Sequence, residues 1–221
     1  MRGSFMFQLS PHDLAIYALG FFAQSLFGTR ILIQWIKSER EGRVVSPTVF
    51  WILSLTASFL FLIYGVLRHD AVILFGQTIS FYIYIRNLQL KGFWVRIPRL
   101  IRIVISPLPF ALLGWMAVMH PQSFHTIVGK TNFADAIIVI GTIGQLLLNF
   151  RYFYQWYFSE RANESLLPLG FWLISAFASV LVVYYAINRH DPVLLVSQSM
   201  GFVAYARNSY LAWRSREVSS Q

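Results

Sequence analysis

The chain has 221 residues, of which 57% are hydrophobic and only 12% charged, whereas soluble domains average about 45–50% apolar and about 25% charged. That balance excludes an ordinary soluble fold and a disordered chain, and the absence of Cys excludes disulfides and thiolate metal sites. The net charge of +9 falls on basic residues set between long apolar runs, a pattern of membrane orientation and not of a nucleic-acid-binding face.

The opening Met1-Arg2-Gly3-Ser4 reads as an expression leader ahead of a native start at Met6, and no cleavable signal follows it. A membrane span needs about 20 apolar residues. The first is expected at residues 14–36, opened by Ser10-Pro11-His12-Asp13, and the second at 48–67. The third is expected at 71–90, separated from the second only by Arg68-His69-Asp70, so the two form a tight hairpin. A basic stretch precedes the fourth span at 103–119, whose Pro107 and Pro109 predict a kink in its early turns. The fifth, sixth and seventh are expected at 134–158, 169–187 and 192–213.

Orientation follows the basic residues. Arg68, Lys130 and Arg189 fall on one side; Lys37, Arg40, Arg43, Lys91, Arg96, Arg99, Arg102, Arg161, Arg214 and Arg216 fall on the other, which is therefore expected to be cytoplasmic. The N-terminus is then outside and the C-terminus inside.

A shift of 121 positions aligns residues 20–90 with 141–211 without a gap, and about 28 of 71 positions are identical. The shared residues include Arg30, Gln34-Trp35 and Ser38-Glu39-Arg40, which recur as Arg151, Gln155-Trp156 and Ser159-Glu160-Arg161. Trp51, Ser54 and Ser58 recur as Trp172, Ser175 and Ser179, and Gln77, Tyr84 and Arg86-Asn87 recur as Gln198, Tyr205 and Arg207-Asn208. Such a register of polar positions identifies a duplication. The expected fold is an all-α membrane protein of seven helices: a three-helix repeat at 14–90, a basic loop and linker helix at 91–133, and a second repeat at 134–213. With the linker the two bundles are parallel, related by an axis along the membrane normal.

The Gln-Trp and Ser-Glu-Arg patterns, the Phe-Trp start of the second span and the Tyr-x-Arg-Asn end of the third resemble the lipid-A biosynthesis N-terminal domain family, here present twice. The three-one-three layout is also similar to that of the SWEET and PQ-loop transporters. This resemblance implies a bacterial inner-membrane protein of lipid A or envelope glycan metabolism.

Candidate site residues follow from charge at membrane depth. Arg30 and Arg151 lie about two turns inside the ends of their spans, and no Asp or Glu lies within the expected spans except Asp135. An Arg in a span costs about 2.5 kcal/mol or more, so a ligand phosphate is expected to supply the missing negative charge through the planar guanidinium fork. Gln34 and Gln155 share helix faces with these arginines. Gln77, Tyr84 and Asn87 form a polar stripe that Gln198, Tyr205 and Asn208 repeat, suited either to sugar hydroxyls or to joining helices. Arg86 and Arg207 are candidates too, although both are close enough to the cytoplasmic end to snorkel. Trp51 and Trp172 read as interfacial anchors, Ser54, Ser58, Ser175 and Ser179 as packing residues, and Asp70 and Asp191 as helix caps.

No metal-ligand spacing, nucleophile motif, paired membrane-depth carboxylates or phosphate-binding Gly loop is present, so the expectation is no enzyme, no cofactor and no metal. The expected function is a flippase for an anionic lipid-linked sugar, a phosphorylated polyprenyl glycolipid. The alternatives are an accessory subunit of a membrane glycosyltransferase and a SWEET-like carrier of small sugars.

Overall fold

A computed structural model describes residues 11–123, 136–188, 190 and 192–219. The described residues are helical, without strands. The expected features at Met1–Ser4, Met6, Ser10, Lys130, Asp135, Arg189 and Asp191 lie outside them. In chain order, α1 (Pro11–Glu41), α2 (Thr48–Leu67) and α3 (Ala71–Leu90) are followed by a single 3-10 turn at Trp94–Arg96. Then come α4 (Arg99–Ile105), α5 (Leu108–Met119), α6 (Ala136–Ala162), α7 (Leu169–Asn188) and α8 (Pro192–Ser219).

Local chemistry explains the boundaries. Gly42, in the left-handed region at φ +64°, ends α1, and Asn163, its counterpart in the second repeat, ends α6 at φ +50°; these are the two residue types that enter that region most readily. The turn between α2 and α3 passes through His69 at φ +48°, and His190 repeats it at φ +52°. Asp70 then caps α3 by accepting from the Ile73 amide at 3.0 Å, as expected. The expected kink is a break: Ser106 and Pro107 separate α4 from α5, because Pro lacks an amide hydrogen and its ring crowds the preceding turn.

Within each repeat the helices pack in sequence, α1 on α2 on α3 and α6 on α7 on α8. Across the repeats α1 meets α8 and α3 meets α6, so the two contacts are equivalent by the internal symmetry. The linker breaks that symmetry, since α5 packs on α3 and α2 of the first repeat.

Between the repeats lies an aromatic core of Phe50, Trp51, Tyr84, Tyr152, Phe171, Trp172 and Tyr205. Trp51 and Trp172 are 0% and 1% exposed, which corrects their expected place at the headgroups. Each packs edge-on against the preceding Phe, at 4.8 and 4.9 Å. Conversely Phe21, Phe22, Leu100, Phe110 and Val118 face outward, a surface suited to hydrocarbon.

Among the described residues four helical stretches are long and apolar enough to cross a membrane: Leu14–Glu41, Thr48–Leu67, Arg99–Met119 and Leu169–Asn188. The other three expected spans, in α3, α6 and α8, fall short of that standard. These helices carry most of the polar groups gathered between the repeats, described next.

Candidate functional site

The described helices bring Arg30 of α1 and Arg151 of α6 to the middle of the molecule, 5% and 7% exposed. Arg30 Nη1 donates to Ser54 Oγ at 2.6 Å, and Arg151 Nη1 donates to Ser175 Oγ at 2.9 Å. Both serines pass a hydrogen on to the carbonyl one turn back, of Phe50 and of Phe171. The remaining Nη2 atoms converge on one group: Arg30 donates to the Tyr152 hydroxyl at 2.6 Å and Arg151 to the same oxygen at 3.5 Å. Both Nε atoms are buried without a partner.

Aromatic faces enclose the charges. The Arg30 guanidinium carbon lies 4.6 Å from the Phe27 ring, 5.1 Å from Phe50 and 5.4 Å from Tyr84. That of Arg151 lies 5.0 Å from Tyr152, 5.1 Å from Tyr205 and 5.3 Å from Phe171. Desolvated cation–ring contacts contribute about 2 kcal/mol, which offsets only part of the cost of withdrawing a guanidinium from water. Among the described residues neither guanidinium bonds to a carboxylate. The pair is therefore an electropositive centre inside an apolar body.

One step toward the α1 and α6 C-termini, amides tie the repeats together. Gln34 Nε2 donates to Asn208 Oδ1 at 2.9 Å, and Gln155 and Asn87 exchange two hydrogen bonds at 2.9 and 3.1 Å. The same Gln amides reach Ser38 and the Val45 carbonyl, or Ser159 and the Leu166 carbonyl. Gln34, Gln155, Asn87 and Asn208 thus bond across the repeats; for Asn87 and Asn208 this is the second of the two uses open to the polar stripe.

Arg86 and Arg207, with side chains 39% and 43% exposed, each meet a carboxylate of the other repeat. Arg86 Nε and Nη2 pair with the Glu160 carboxylate at 2.5 and 2.7 Å, and Arg207 pairs with Glu39 at 2.5 and 2.8 Å. Trp156 and Trp35 donate to the same carboxylates from one turn back. The acidic residue of each Ser-Glu-Arg motif lies on α1 or α6 just past the expected apolar span, where the longer helix carries it to the other repeat. Gln77 and Gln198 lie about two turns along their helices from Tyr84 and Tyr205, apart from the arginines. The Gln198 Oε1 accepts from Ser179, while the Gln77 Oε1 is buried without a partner.

Three site residues, Ser54, Ser175 and Tyr152, were not expected from sequence. The serines carried a signal, since each follows its arginine by the same 24 residues. Tyr152 carried none, because Ile31 stands at its place in the first repeat. Beside the site, α3, α5 and α6 enclose an apolar groove of about 760 Å³ lined by Phe75, Ile79, Tyr82, Phe110 and Phe153, with Arg86 and Glu160 also on its wall.

Known proteins now add a constraint. Residues 19–89 and 140–210 each match the Lipid A Biosynthesis N-terminal domain. Proteins named lipid-A-disaccharide synthase align with nearly the whole chain: that of Chlamydia felis is 29% identical over 92% of it, that of Chlamydia pneumoniae 27% over 91%, and that of Chlamydia trachomatis serovar D 27% over 91%. The chain spans about a third of the length of these relatives, 34%, 34% and 35%. No solved structure matches it. An enzyme's name on relatives that cover nine-tenths of the chain overturns the expected transporter or flippase, and with it the expectation of no enzyme. The paired repeat, the arginine pair and the family resemblance had suggested transport, but none of them specifies movement of a ligand, and a three-helix unit carries no activity in its layout. The two matches together take in more than half of the residues, and the chain belongs to the Lipid A Biosynthesis N-terminal domain family, with the domain present twice.

Proposed function

We propose that this chain is the membrane part of a lipid-A-disaccharide synthase activity, and that it binds the phosphate-bearing glycolipid on which that activity works. The observation that carries this reading is the pair of buried guanidiniums at Arg30 and Arg151, without a carboxylate partner among the described residues and each with an unused Nε hydrogen. A phosphoryl group answers both needs, since it brings charge and several acceptor oxygens. The family and the names of the relatives supply the pathway; the chemistry of the site supplies the ligand class.

In this reading the chain is a multi-pass protein of the bacterial inner membrane. Seven helices cross in a three-one-three order with the C-terminus cytoplasmic, on the side of the basic loops. Tyr84 and Tyr205 wall the phosphate site, and Gln77 and Gln198 contact the sugar further along. The groove between α3, α5 and α6 takes an acyl chain. Glycosyl transfer involves a glycosyltransferase part that associates with this unit, in keeping with relatives whose length exceeds the matched region about threefold.

The test replaces the gene in its own cell by the Arg30→Gln, Arg151→Gln double variant and quantifies lipid A intermediates by mass spectrometry. Disaccharide formation should fall at least about tenfold, the worth of roughly 1.4 kcal/mol, with monosaccharide precursors accumulating and the protein still in the membrane. Unchanged disaccharide in cells with normal amounts of the variant would overturn the reading.

A further inference from the structure

The duplication would lead one to expect two equivalent anion sites, one per repeat. The geometry differs. Arg30 and Arg151 each spend one nitrogen on the serine of the next helix, but their Nη2 atoms aim at one shared oxygen. That oxygen belongs to Tyr152, which breaks the internal symmetry: its counterpart is Ile31, partly buried against the same core. Near a two-fold axis two symmetry-related phenols would compete for the same space, so only one repeat can supply the central hydroxyl. A phenol is also suited to both states of such a site. It accepts from the guanidiniums when no anion is present and donates its O–H to a phosphate oxygen when one is.

We propose that Arg30 and Arg151 form one anion site, shared by the two repeats and centred at the Tyr152 hydroxyl, and that Tyr152 is its specificity-determining residue. The chain then holds a single phosphoryl group. This rests on the reading of the arginines as a phosphate site, but it adds a stoichiometry and a residue that the reading does not require. The Nε hydrogens, buried and unpartnered on both sides, are the further donors such a site offers an anion. Rings of Phe27, Phe50, Phe171 and Tyr205 exclude water from the flanks, so that a bound anion is held by both cations at low dielectric.

The experiment is a titration of the full chain in detergent with dodecyl phosphate, read by native mass spectrometry for stoichiometry and by calorimetry for affinity. Wild type should bind one equivalent. Arg30→Gln and Arg151→Gln should each weaken binding nearly as much as both together, because the two act on one group. Tyr152→Phe, which keeps the ring, should bind about tenfold more weakly when measured below its melting temperature, which falls because buried Nη2 hydrogens lose their acceptor. Inorganic phosphate that displaces the probe at equal concentration would make free phosphate the ligand, and failure to displace would make it a lipid headgroup; either supports the shared site. Two equivalents bound by wild type, or single variants that each lose one of two independent sites, would overturn the shared site and leave the phosphate reading standing. Full affinity in Tyr152→Phe would remove Tyr152 from the site. Absence of binding by either probe would overturn both proposals. The stoichiometry is read on wild type, so a variant that fails to assemble leaves the decision intact.

Discussion

Ser54 and Ser175 show how little of a buried charge is legible one residue at a time. As Ser-x-x-x-Ser they read as helix-packing positions, and both are fully buried. Yet each accepts from an arginine that has no carboxylate bond among the described residues. Ser54→Ala leaves a buried charged N–H unpaired and should destabilise the protein by about 1–3 kcal/mol. Ser58→Ala, whose hydroxyl donates only to the Gln77 carbonyl at 3.3 Å, should cost less. Thermal unfolding of both variants in the same detergent checks the order; equal shifts would return Ser54 to packing alone. The arginines themselves were legible because charge in an apolar run is conspicuous. Tyr152 was not, since a comparison of repeats finds shared positions and this one differs.

At the scale of helices, close approach depends on glycine at particular positions. A Cβ on Gly20 would stand 2.8 Å from the Tyr64 ring, and on Gly141 2.5 Å from the Tyr185 ring, at the equivalent α1–α2 and α6–α7 crossings. Gly141→Ala should therefore cost about 1–3 kcal/mol through overpacking. Gly28→Ala on α1, with nothing within 4 Å of the new methyl, should be neutral or gain up to about 1 kcal/mol of helix propensity. Chemical denaturation in mild detergent measures both, and a stabilised Gly141→Ala would contradict the crossing geometry. Helix positions were readable from apolar runs and from Pro107, which divides α4 from α5. The bounds of α2 and α3 were readable too, but the C-terminal ends of α1 and α6 were not: these helices continue to Glu41 and Ala162, where Glu39 and Glu160 are held by the opposite repeat.

Over the whole molecule, the polar motif residues join the halves. Gln34 with Asn208, Gln155 with Asn87, Glu39 with Arg207 and Glu160 with Arg86 all cross between repeats. The duplication was plain in sequence, but which motif position meets which was not, since pairing across an axis leaves no trace in a single repeat. The ion-pair side chains are a third or more exposed, so each pair contributes little, and less as salt screens it. Arg86→Glu should lower the melting temperature, and adding Glu160→Arg should recover most of the loss at low ionic strength. Failure of the double variant to recover would mean that the pair depends on its particular geometry and not on charge.

Every role proposed for the arginine pair requires a phosphoryl group held between the halves. The most direct measurement is native mass spectrometry of the chain purified gently from its own membrane, wild type against Arg30→Gln, Arg151→Gln. Wild type is predicted to carry a phosphorylated glycolipid that the double variant has lost while keeping its bulk phospholipid. An equal amount of the same phosphorylated lipid on both proteins would contradict it.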